Sequence, residues 1–154
     1  MPLNKKGEDV NNNKTRFNQE EILSNLKNFH GTEGYYRHSP LLFPKFLLTD
    51  GAHYLAESCE AYWLMDFIAS YQETAMFRNH EKLQQYQFWY LTVKDSQGFI
   101  RCEWDTDEIV LEKKIPYTDF PLESARIWVC PWFPTAEHYE RKDRYYVAML
   151  PSEY

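Results

Sequence analysis

Hydrophobic and polar positions alternate along this chain in two distinct periods, one helical and one strand-like, after an opening stretch that has neither. Residues 1–16 carry no apolar period and include Asn11-Asn12-Asn13, which predicts a flexible tail ahead of one α+β domain over 17–154. Asn18 is placed to cap a helix over about 18–29. Glu21 completes a capping box, Ile22, Leu23, Leu26 and Phe29 give one apolar face, and Gly31 follows as a stop. A loop with Tyr35, Tyr36, Arg37 and His38 comes next. Asp50-Gly51 then sits between the apolar runs 45–49 and 52–55, the pattern of a β-hairpin turn. From Glu57 to Tyr71, Ala61, Leu64, Ile68 and Tyr71 recur at helical spacing with Trp63 and Phe67 beside them, predicting one long buried helix.

The second half changes period. Trp89, Leu91 and Val93 alternate with Phe88, Tyr90 and Thr92, and turn residues at 95–98 and 105–107 separate this strand from two more, at 99–104 and 108–115. Prolines punctuate 116–121, and further strands are expected at 125–131 and 145–150. The pattern therefore predicts an α+β fold in which an N-terminal helix and a long buried helix pack on a four- to five-stranded antiparallel sheet.

Composition narrows the class. Of the 154 residues, 44% are hydrophobic and 18% aromatic, too many for a disordered chain. No apolar run approaches the ~20 residues that cross a bilayer, and Met1 to Arg16 lacks the apolar segment of a secretory signal, so a cytoplasmic protein is expected. Three widely spaced cysteines, Cys59, Cys102 and Cys130, form no metal-type set and read as free buried thiols. Net charge is −6, but the tail is positive, leaving 13 basic against 21 acidic side chains in the remainder. Such a body disfavours nucleic-acid binding unless its cations cluster on one face.

Four stretches resemble a bacterial family of uncharacterised domains. They are Gly31-Thr32-Glu33 with Tyr36 and His38; Leu48-Thr49-Asp50-Gly51 with Tyr54-Leu55-Ala56-Glu57; Ala61-Tyr62-Trp63-Leu64 with Asp66; and Tyr117-Thr118-Asp119-Phe120-Pro121-Leu122. The closing Leu150-Pro151-Ser152-Glu153-Tyr154 is similar as well, and order and spacing agree over about 17–154. The resemblance implies a domain of bacterial chromosomes and mobile elements and supplies no activity. Residues between Trp132 and Arg144 depart from the pattern as an insertion, and His53 and Cys59 are outside it.

Side chains able to do chemistry are densest at Asp50, His53, Glu57 and Asp66, the candidate catalytic groups. Asp50 also fits a turn and Glu57 a helix start, whereas Asp66, inside an apolar helix, must be paired or face solvent. Cys59 has His53 as its nearest base. No nucleotide loop, serine elbow or metal motif is present, so neither cofactor nor metal is implied. Trp128, Trp132 and Phe133 mark a candidate aromatic binding patch. These features point first to a non-catalytic module binding another protein, then to a small hydrolase or transferase using the carboxylates, then to an acidic nucleic-acid mimic or inhibitor.

Overall fold

A computed structural model describes residues 19–133 and 144–154. The tail at 1–16, the Asn18 cap and, of the insertion between Trp132 and Arg144, residues 134–143 lie outside the described residues.

Helix α1 (residues 19–26) leads into β1 (Tyr35–Ser39) and β2 (Phe43–Thr49), which pair antiparallel. Three helices follow: α2 (Asp50–Ser58), α3 (Tyr62–Tyr71) and the single turn α4 (Ala75–Arg78). The rest is β3 (Gln87–Lys94), β4 (Gln97–Glu103), β5 (Ile109–Ile115), β6 (Ser124–Trp132) and β7 (Tyr145–Met149), closed by a 3₁₀ turn at Pro151–Glu153. The α+β class holds, but the sheet has seven strands in the order β1-β2-β7-β6-β3-β4-β5, and β2 and β7 run parallel. The expected four- to five-stranded antiparallel sheet is thus too small and too uniform. The polar edge strand β1, expected as a loop, adds to the count, and β7 slots between β2 and β6 to join hairpin and meander.

Asp50-Gly51 is not a hairpin turn. Thr49 Oγ1 accepts from the Ala52 amide at 3.2 Å, capping α2, and Asp50 sits in the first turn, where its charge complements the helix end. Ala52, Leu55, Ala56 and Cys59 then bury at helical spacing. The long helix over 57–71 is likewise two helices. Cys59 is the C-cap of α2, Glu60 has φ 50°, and the Ala61 amide donates back to the Ala56 carbonyl at 2.8 Å, a Schellman closure that turns the chain before α3 starts. The turn with two successive positive φ values is instead Asp95 (53°) and Ser96 (61°), joining β3 to β4.

One sheet face carries the core. Phe46, Leu48, Trp89, Leu91, Ile100, Ile127, Val129 and Ala148 point inward to meet Leu55, Leu64, Met65, Ile68 and Phe77 from the helices. Polar groups buried there are paired: the Gln87 carboxamide exchanges hydrogen bonds with Gln72 at 2.8 and 2.9 Å and accepts from Trp89 Nε1 at 2.9 Å. Leu47, Cys130 and Val147 are buried but belong to the opposite face, outside this cluster. No described helix is long and apolar enough to cross a membrane.

Candidate functional site

Register decides which side chains meet. Tyr36 pairs with inward-facing Leu48, so Tyr36 and His38 on β1 both turn toward α2 and α3. The His38 side chain is only 4% exposed, stacks on Tyr62 and Phe43, meets Phe46 edge-on, and lies 2.6 Å through Nε2 from Asp66 Oδ1. A carboxylate accepts only, so Nε2 is the donor in this bond and Nδ1 is the ring nitrogen left over. That Nδ1 is buried without a partner. Tyr62 donates its hydroxyl to Glu57 at 2.6 Å, and burial, reinforced by the Glu57 contact, pushes the phenol up to about 12. His53 stacks on Tyr36 at 4.0 Å between ring centres and meets Tyr62 edge-on.

Three of the four sequence candidates, His53, Glu57 and Asp66, therefore belong to one cluster, tied together by Tyr62 and by His38. Asp50 serves elsewhere: its Oδ2 accepts from the Glu33 amide at 2.8 Å and its own amide donates to Thr32 Oγ1, fastening residues 32–34 to the start of α2. His38 was not a candidate in its own right, because nothing in residues 35–39 signals a strand and its partner is 28 residues away. Within the His38–Asp66 pair the remaining imidazole nitrogen, Nδ1, is sealed from solvent and cannot exchange a proton with a substrate as the site stands. Burial pushes the Cys59 thiol up to about 11, so it is protonated at neutral pH and not the thiolate a nucleophile needs. Among the described residues no group of three or more His, Cys, Asp and Glu side chains is arranged to hold a metal ion.

The opposite sheet face is built differently. Its outward positions line up in cross-strand rows: Glu103, Phe88 and Trp128; then Glu112, Arg101, Tyr90 and Arg126; then Lys114, Phe99, Thr92 and Ser124. Phe88 meets Trp128 edge-on, and Tyr154 returns over Trp128 and bonds the Tyr86 hydroxyl at 2.8 Å. In the middle row the Arg101 and Arg126 guanidiniums lie 4.8 and 5.5 Å from the centre of the Tyr90 ring. A groove of about 310 Å³ is lined by Glu112, Arg101 and Tyr90 of the second row and Lys114, Phe99 and Thr92 of the third, with Arg126 beside it across the Tyr90 ring. The sequence candidates Trp128 and Trp132 both stand on this face. Trp132 makes a separate ring group with Tyr35 and Tyr145, and Phe133 lies beneath the Arg144 guanidinium.

No curated protein and no solved structure matches the sequence. A family of unknown function does, over residues 20–154, as the four stretches suggested: the chain belongs to DUF6876.

Proposed function

We propose that this chain is a non-catalytic interaction module that works through the outer face of its sheet. One observation carries the reading: the described helices pack on a single face, and the other holds ordered rows of rings and guanidiniums around an open groove. Isolated exposed apolar residues need no explanation, but a sheet face that exposes Phe99 at 42% and Tyr154 at 69% on either side of an arginine row supports a contact site. Aromatic residues and Arg are also the types that dominate binding hot spots. Capture from an extract of the source organism tests it. Wild-type protein should retain a specific partner that the double variant Phe99→Ala/Arg126→Glu loses, and identical capture by both proteins would defeat the reading.

A second reading, a small hydrolase or transferase, is favoured by the 2.6 Å contact between His38 and Asp66. With His38 as the base, it requires the sealed Nδ1 to become accessible. An activity screen in which His38→Gln abolishes a turnover shown by the wild type supports it, and equal turnover by the two proteins dismisses it.

A further inference from the structure

Building on the reading of the outer face as the working surface, we infer that its occupant is single-stranded nucleic acid, with Arg101, Arg126 and Lys114 meeting phosphates and Phe99 and Tyr154 stacking on bases. Charge is the first argument. Outward positions of β3 to β6 hold Lys94, Arg101, Lys114 and Arg126 against Glu103 and Glu112. Glu103 is itself buried, with Oε1 2.9 Å from Arg101 Nε. A chain of net charge −6 thus keeps a cationic strip on one face, the clustering that a phosphate backbone requires.

Arrangement is the second argument. Tyr90 holds two guanidiniums against its ring from neighbouring strands, which fixes their planes and lowers the entropy lost when they bind. Rings bracket this pair along β3: the group of Tyr86, Phe88, Trp128 and Tyr154 on one side, exposed Phe99 on the other. Alternate residues of a strand are about 6.7 Å apart, so the three rows span about 13 Å. That is room for a few nucleotides alternating between stacking and phosphate contact. Bases inside a duplex have no free face to offer Phe99, so the arrangement selects unpaired strands. A purely apolar protein surface, conversely, makes no use of paired guanidiniums.

The test is fluorescence anisotropy of labelled oligouridine and oligothymidine of about 12 residues with the full chain. Three phosphate contacts predict a slope of log affinity on log salt near −2. Arg126→Glu should weaken binding about tenfold or more and flatten the slope by about 0.7. Phe99→Ala should weaken it about tenfold at unchanged slope, while Phe99→Tyr, which keeps the ring, retains it. Thermal unfolding midpoints equal to wild type identify folded variants, and Lys114→Glu substitutes for any that fails. No anisotropy rise at about 100 μM protein in about 50 mM salt, or binding that these substitutions leave untouched, overturns the inference. Should oligonucleotides fail while Phe99→Ala/Arg126→Glu still loses a captured protein, the interaction-module reading survives with a protein partner. Should that variant lose nothing, both fall.

Discussion

His38 on the edge strand β1 reaches Asp66 on α3 at 2.6 Å, so a carboxylate that is 55% exposed pairs Nε2 of an imidazole that is 4% exposed. The two partners are unequal in consequence. Removing Asp66 leaves a sealed ring with neither nitrogen paired, whereas removing His38 leaves a carboxylate that water already reaches. Asp66→Ala is expected to lower stability by about 1 kcal/mol. In the double variant His38→Phe/Asp66→Ala the buried ring has nothing to satisfy and keeps its contacts with Phe43 and Tyr62, so the double should be more stable than Asp66→Ala alone. Urea unfolding of the four proteins of this cycle gives the sign directly.

Parallel pairing of β2 and β7 brings the C-terminal ends of both strands side by side, and Glu153 uses the proximity. Its carboxylate accepts from Thr49 Oγ1 at 2.6 Å, the Gly51 amide at 3.0 Å and the Leu150 amide at 2.9 Å, at the positive end of α2. Glu153→Ala should cost about 2 kcal/mol. A Cβ on Gly51 would lie 2.4 Å from Glu153 Oε1 and 2.7 Å from Leu150 Cδ1. Gly51→Ala, ordinarily worth up to about 1 kcal/mol in a helix, is therefore expected to destabilise. The penalty should shrink in the Glu153→Ala background, since one of the two clashes is gone.

Element types were legible where one period governs a whole segment and illegible where two signals compete. Strands β3 to β7 read correctly because Trp89 and Leu91 alternate with Phe88 and Tyr90 in β3, while turn residues and prolines mark off the others, whose own alternation is weaker. Asp50-Gly51 carried a turn signature that a stronger fact overrode: Thr49 caps, and Ala52, Leu55 and Ala56 form a buried helical stripe. β1 was hidden because an edge strand with five mostly polar residues has no apolar period. The site was half legible. His53, Glu57 and Asp66 were singled out, but joining them requires His38 and Tyr62, and the strand register that brings His38 to Asp66 is a tertiary fact. The Arg101–Tyr90–Arg126 row is the same kind of object, assembled by pairing across three strands.

Glu60 occupies the left-handed position that closes α2, with φ 50° and hydrogen bonds from its own amide to Glu57 and from Ala61 to Ala56. Glycine is the residue that this position favours, because a side chain there crowds the neighbouring carbonyl. Glu60→Gly should raise stability by about 0.5–1 kcal/mol despite the added freedom of the unfolded chain, and Glu60→Val should lower it. Chemical denaturation midpoints of the two variants on either side of wild type would bear this out, and a destabilised Glu60→Gly would mean that the side chain has a role beyond the turn.

Alkaline pH tests the thiols. Burial raises Cys59 and Cys130 from the usual 9.0 to about 11, and Cys102 further still. Tyr62 rises from 10.0 to about 12 through burial and its bond to Glu57. In each case the folded state holds its proton to a higher pH than the unfolded state does. Above pH 9 the unfolded chain therefore binds fewer protons, and stability falls with rising pH. The urea midpoint is expected to fall steadily between pH 9 and about 11, with no contribution from these groups to its pH dependence below pH 8. Working under reducing conditions excludes disulfide formation. Cys59→Ala/Cys130→Ala should lose stability at neutral pH through its two small cavities, yet decline less steeply above pH 9. An unchanged alkaline slope in that variant would assign the effect to Tyr62 and Cys102 instead.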